Sequence, residues 1–227
     1  MEINRDTQLQ TLMSNHNFIM PNLIVDTIGK IQVNQYGDEM VLSVDGVNWM
    51  VLNLKTYKEV YEFFSHISLS QGSVICSGMG LLLRESWLVN LGFDVTVVES
   101  TLDVINYHKK HNPEICSKMT IIHDDIHNIH GKYNTVLLDH YEHESQDEIL
   151  LDVVSIVKNI ECDVLWFWPL ERFIESYHYR NSGGWEFYQF LRRKLPYLPN
   201  ISKEVLFEFM EKFYLGQKTY QLPNKNI

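Results

Sequence analysis

The hydrophobic rhythm of the chain changes twice. From residue 22 to 54 apolar residues come in short runs: Leu23-Ile24-Val25, Lys30-Ile31-Gln32-Val33, Met40-Val41-Leu42-Ser43-Val44 and Val47-Asn48-Trp49-Met50-Val51-Leu52. Such runs predict strands. Tyr36-Gly37-Asp38 and Asp45-Gly46 between them predict turns, because Asp-Gly tolerates the positive φ of a tight hairpin. Over 57–67 the period lengthens, and Val60, Phe63, Phe64 and Ile67 share one helical face. From Gly72 onward the two rhythms alternate. Ser73-Val74-Ile75-Cys76 is a strand-length apolar run, 81–91 has helical spacing with Gly92 as its stop, and 94–98 is a second strand. A helix over 102–111 ends near Pro113. Strands follow over 119–122 and 133–138, then a helix over 145–158 with Ser145 and Glu148 at capping-box spacing, then a strand over 163–168 stopped by Pro169. Beyond Pro169 helices are predicted over 185–194 and 202–213 and an edge strand over 218–222. Residues 1–18 are polar and are expected at the periphery.

Strands that alternate with helices predict a parallel sheet covered on both faces. The expected fold class is therefore α/β, mostly parallel and flanked by helices, preceded by a small antiparallel β element. The division is expected at 1–54 and 55–227. A chain of 227 residues that is 45% hydrophobic can fill such a core. No apolar run reaches the roughly 18 residues a membrane span needs, and MEINRDTQLQ lacks the features of a secretory signal, so a cytoplasmic protein without a membrane partner is expected. Cys76, Cys116 and Cys162 form no CxxC pair, which suits a reducing compartment. A net charge of −10 disfavours nucleic acid as a partner. A homodimer is left open.

The candidate chemistry lies where predicted strands end. Ser77-Gly78-Met79-Gly80 joins the first strand of the alternating region to its helix, and Glu99 ends the next strand. In open α/β sheets ligands bind outside the carboxyl ends of the strands. Glycines admit a ligand close to the backbone, and the N–H groups at the helix start polarise it. A carboxylate such as Glu99 can accept both hydroxyls of a ribose. Asp124-Asp125 and Asp139 follow later strands and should share that edge; Asp125 can accept an exocyclic amine, and Asp139 can bind a cation or act as a base. His140 is a second candidate base near neutral pH. Five of the ten histidines lie between His123 and His143, and His123 and His127 have i, i+4 spacing, so a metal site is an alternative. No established ligand spacing is present, His127 and His130 are expected on a surface loop, and no metal is assigned. Trp168, Tyr177, Tyr179 and Trp185, with the acids, suit a small cationic substrate.

Taken together, VICSGMGLLL, VTVVES, IIHDDIHNI and YNTVLLDHYE resemble, in order, four motifs of the class I S-adenosylmethionine-dependent methyltransferase superfamily, over residues 70–168. Within it the layout is similar to spermidine synthases, which also place a small β domain first. The resemblance implies a Rossmann-like methyltransferase fold with S-adenosylmethionine as cofactor. Gly78 and Gly80, with Ser77 and Met79, would meet its methionine part; Glu99, with Ser100, its ribose; and Asp125, with Asp124, its adenine. Asp139 would serve at the cofactor's substrate side and, with His140, as the catalytic pair. The chain departs from the family at Cys76, where an acid usually stands, at Leu82, the third glycine position, and at His140, where a spermidine synthase has Ser. The implied activity is methyl transfer to a small molecule. Aminopropyl transfer, a non-catalytic nucleoside-binding module and a histidine metal site are the alternatives. Glu99→Ala is expected to abolish cofactor binding and leave the fold intact.

Overall fold

The structure, a computed structural model, describes residues 19–54, 67, 70–141 and 146–168. Its first sheet is antiparallel, with β1 (Asp26–Ile28), β2 (Ile31–Tyr36), β3 (Glu39–Val44) and β4 (Val47–Asn53) in sequential order. Both foreseen turns are present. Asp45 and Gly46 carry φ of +50° and +80°, the paired positive angles that match the twist of a hairpin. The run Leu23-Ile24-Val25 is not a strand, and β1 begins only at Asp26. Ile24 instead pairs through its backbone with Tyr107, whose hydroxyl accepts from the Ile24 N–H at 2.9 Å and donates to its carbonyl at 2.7 Å. A tertiary partner overrides local β propensity there.

The second sheet is parallel. Its chain order is β5 (Ser73–Ser77), α1 (Leu83–Asn90), β6 (Asp94–Glu99), α2 (Leu102–His111), α3 (Pro113–Cys116), β7 (Thr120–His123), β8 (Gly131–Leu138), α4 (Gln146–Val157) and β9 (Ile160–Phe167). The spatial order is β7-β6-β5-β8-β9. The chain steps outward from β5 through β6 to β7, then returns to the other flank of β5 as β8. The central strand is thus a topological switch point, where loops diverge and leave a crevice at the carboxyl edge. Val74, Ile75 and Cys76 of β5 are fully buried, as expected of a central parallel strand covered on both faces. Helix α1 stops at Gly92, whose φ of +83° lets its N–H reach the Val89 carbonyl and the Phe93 N–H reach that of Leu88. Pro113 does more than end α2: it opens the short helix α3, where its missing N–H costs nothing.

The two sheets share one hydrophobic core. Ile31, Val33, Leu42 and Leu52 of the antiparallel sheet belong to the same cluster as Val74, Cys76, Leu81 and Trp87. The antiparallel sheet is therefore packed against the glycine turn. The expectations for 1–18, for the helix over 57–67 apart from Ile67, for Ser145 and for everything beyond Trp168 lie outside the described residues. Among the described residues no helix is long and apolar enough to cross a membrane.

Candidate functional site

A cavity of about 720 Å³ opens at the carboxyl edge of the parallel sheet, with residues 48–51 of β4 as one wall. Every residue named from the sequence for cofactor binding or catalysis lines it: Ser77, Gly78, Met79, Gly80, Glu99, Ser100, Asp124, Asp125, Asp139 and His140. Trp168 also lines it, whereas Tyr177, Tyr179 and Trp185 lie outside the described residues.

The glycine turn is held from several sides. The Gly78 N–H donates to the Val98 carbonyl at 2.8 Å. Gly78 has φ +76°, a conformation that favours glycine, and a Cβ there would stand in tight contact, 3.3 Å from the Asp139 backbone oxygen. The Glu99 carboxylate is 4% exposed; Oε2 accepts the Met79 N–H at 2.8 Å and Oε1 accepts the Thr101 N–H at 2.7 Å. Each oxygen keeps a further lone pair for a ligand. The Gly80 carbonyl accepts from His108 at 2.8 Å, which places the ring proton on Nε2. His108 is buried, and burial brings it down to about 4, so the ring is neutral. Leu82 occupies the third glycine position at φ +63°, the left-handed region that glycine would favour. That conformation costs a leucine about 1–2 kcal/mol, and burying its side chain completely offsets the cost with about 1.5–3 kcal/mol.

Beneath the turn lies a buried charge cluster that the sequence reading missed. Arg84 and Glu85 are each 3% exposed. The guanidinium donates to Glu85 Oε1 through Nε at 2.9 Å and Nη2 at 2.6 Å, to the Ser77 carbonyl at 3.4 Å and to Asp139 Oδ2 at 3.3 Å. Cys76 supplies no counter-charge, because burial pushes its thiol up to about 12. Arg84 is thus neutralised by Glu85 and Asp139.

The opposite wall is a hydrogen-bonded chain of side chains. Ser77 Oγ accepts the Asp139 N–H at 3.0 Å and lies 2.6 Å from His140 Nδ1. His140 Nε2 faces Asp152 Oδ2 at 3.1 Å, so in the neutral ring Nε2 carries the proton and Nδ1 accepts from Ser77. Asp152 also accepts from the Tyr141 hydroxyl at 2.8 Å and from His127 Nε2 at 2.6 Å. Burial opposes the charge of Asp152, but donors on His140, Tyr141 and His127 outweigh it and hold the group down at about 2. His127 Nδ1 lies 2.6 Å from Asp125 Oδ1, which also accepts the His127 N–H at 2.9 Å. Partial burial works against an imidazolium there; the bonds to Asp125 and Asp152 prevail and raise its pKa.

The histidines can now be placed. His127 does lie in the connection after β7 with its side chain 38% exposed, but it is also a bridge between two carboxylates on the cavity wall. It does not share a helical face with His123, which ends β7 and bonds the Ser100 carbonyl, while His127 sits in a single 3-10 turn, Ile126–Asn128. His130 is exposed, as expected. Asp124 Oδ1 is engaged by the Asp125 N–H and by Asn128. Among the described residues no group of three or more His, Cys, Asp or Glu is arranged to hold a metal ion. Arg84, Glu85 and Asp152 had one sequence signal, a charge inside an apolar helical run. Met50 and His108 had none.

Fold and cavity together define an α/β protein with a ligand crevice at the carboxyl edge of a Rossmann-like parallel sheet. Among solved structures, the glycopeptide N-methyltransferase MtfA, complexed with S-adenosyl-L-homocysteine, matches at 17% identity over 46% of this chain and 44% of its own, with a TM-score of 0.37. Magnesium protoporphyrin IX methyltransferase from Synechocystis PCC 6803, with bound S-adenosylmethionine, matches at 17% identity over 46% and 52%, with a TM-score of 0.36. A Thermoplasma acidophilum protein matches at 22% identity over 46% and 57%, with a TM-score of 0.35. The chain spans about half the length of each. No protein-family model and no curated protein matches it. The strand order of the chain's own sheet, rather than these likenesses, defines the fold.

Proposed function

We propose that the chain is an S-adenosylmethionine-dependent transferase that methylates a small molecule. One observation carries the reading: a buried carboxylate, Glu99, is clipped to a glycine turn at the switch point of a parallel sheet, inside a cavity of nucleoside size. The donor set fits that cofactor. Glu99 retains lone pairs for ribose hydroxyls, Asp125 stands at the base end with Oδ1 engaged by His127, and the carboxylate-rich lining suits a sulfonium.

When bound, the cofactor supplies an electrophilic methyl group whose leaving group is a neutral thioether. The protein's own residues align the acceptor, take its proton and exclude water. Asp139, with Oδ2 on Arg84, would use Oδ1 to accept from an amine or hydroxyl of the acceptor. Both nitrogens of His140 are engaged, so a proton reaches Nδ1 through the Ser77 hydroxyl, and Asp152 stabilises the imidazolium that results.

Aminopropyl transfer from decarboxylated cofactor is favoured by one feature. Among the described lining residues Arg84 is the one Lys or Arg, and it is already paired with Glu85 and Asp139, so the described residues offer the methionine carboxylate no dedicated cation. Calorimetric titration with S-adenosylmethionine, its decarboxylated form and S-adenosylhomocysteine separates the readings. Binding of the first and third supports methyl transfer, and preference for the second supports aminopropyl transfer. If none binds, both readings fail.

A further inference from the structure

The glycine turn poses a question that the cofactor assignment leaves open. A turn of this kind, leading into a helix, presents backbone N–H groups that ordinarily attract phosphate. Here four of those groups are consumed within the protein. Gly78 donates to the Val98 carbonyl and Leu82 to the Met79 carbonyl. Met79 donates to the Glu99 carboxylate. Leu81 donates to the thioether of Met50, with Sδ at 3.3 Å. A Cβ built on Gly80 would stand 2.8 Å from that same sulfur, so Met50 occupies the open face of the glycine.

Met50 belongs to β4, on the antiparallel sheet, 31 positions from its partner. Its sulfur is a weak acceptor without charge: it satisfies an N–H, fills space and brings no counter-ion. On the Met79 N–H, two residues before, Glu99 is an anion already in place. A phosphate entering here would displace sulfur on one side and meet a carboxylate on the other.

We propose that Met50 is a specificity-determining residue: it fills the place beside the glycine turn where a phosphate would sit, so that the cavity takes a phosphate-free nucleoside and refuses nucleotides and dinucleotides. This rests on the nucleoside reading above and adds to it a role for the antiparallel sheet, which supplies the part that selects among nucleoside ligands.

The test compares wild type, Met50→Ala and Met50→Leu, each checked for native circular dichroism, by calorimetric titration with adenosine, ADP and S-adenosylhomocysteine. Wild type binds adenosine and S-adenosylhomocysteine and discriminates against ADP. Met50→Ala, which opens the turn, gains ADP affinity relative to adenosine by about tenfold, the scale of one helix-terminus anion contact. Met50→Leu keeps the bulk without the acceptor and stays discriminating. Equal ADP discrimination in wild type and Met50→Ala overturns the proposal and assigns the exclusion to the carboxylates. Wild-type binding of ADP as tight as adenosine also overturns it. Inorganic phosphate, followed through the amide resonances of Gly80 and Leu81, separates this failure from that of the nucleoside reading. If neither adenosine nor S-adenosylhomocysteine binds, that reading fails. Phosphate-dependent shifts in Met50→Ala alone still uphold the role of Met50, and shifts in both proteins or in neither refute it.

Discussion

Glu99→Ala is a harsher substitution than its position at a strand end suggests. The carboxylate is 4% exposed and is the acceptor for two backbone N–H groups, those of Met79 and Thr101. Removing it strands both donors where little water reaches. Bonds to a charged acceptor contribute about 1.5–3 kcal/mol each, so the variant is expected to lose about 3–6 kcal/mol of folding stability. Against the ~5–15 kcal/mol of a typical domain that is a large share. The expectation that the fold survives untouched is therefore revised, and lost ligand binding in Glu99→Ala cannot by itself be assigned to ribose contacts. Glu99→Gln separates the two effects. It keeps one carbonyl oxygen for one N–H and turns an amide group towards the other, so about half of the loss, ~1.5–3 kcal/mol, is expected. Urea unfolding followed by tryptophan fluorescence measures both variants, and calorimetry with S-adenosylhomocysteine is run where each is folded. An alanine variant within ~1 kcal/mol of wild type would refute the reasoning, since one such bond alone contributes more.

Two further outcomes are expected. Arg84→Met leaves the buried Glu85 carboxylate without its cation and should cost about 3–5 kcal/mol in urea unfolding, while Arg84→Met/Glu85→Leu should recover most of it, because replacing both charges removes the uncompensated one; a double variant no better than the single refutes the pairing. His108 has an unfolded reference of 6.5 and a folded value of about 4, depressed by burial. Its contribution to stability is full above pH 6.5, falls as pH drops and is lost by about pH 4, amounting to about 3 kcal/mol. His108→Gln should flatten that part of the stability–pH curve, and parallel curves for the two proteins would count against a neutral buried ring.

Features imposed by local physics are legible in the sequence. Val74-Ile75-Cys76 reads as a strand because a central parallel strand is buried on both faces, and Asp45-Gly46 reads as a turn because few residues accept two positive φ angles. The glycine turn and Glu99 are legible for the same reason: a strand–turn–helix unit fixes both within 28 residues, from Gly72 to Glu99. Leu23-Ile24-Val25 misleads because its partner, Tyr107, lies 83 positions from Ile24. The site's remaining members are of that second kind. Arg84 sits inside Leu81-Leu82-Leu83-Arg84-Glu85-Ser86-Trp87-Leu88, and Asp152 inside Ile149-Leu150-Leu151-Asp152-Val153. A charge within an apolar helical run is costly unless paired, so the sequence does announce that each has a partner. It does not say which. The partners of Asp152 are His127, after β7, and His140 and Tyr141, after β8, and these loops are brought together by a strand order in which the chain leaves β5 in one direction and returns on the other flank. His127 reads as a solvated loop residue for as long as β7 is considered alone. It is also a bridge between Asp125 and Asp152 once the parallel order puts the described loops of the carboxyl edge around one cavity, so the topology of the sheet, more than any motif, gathers this site.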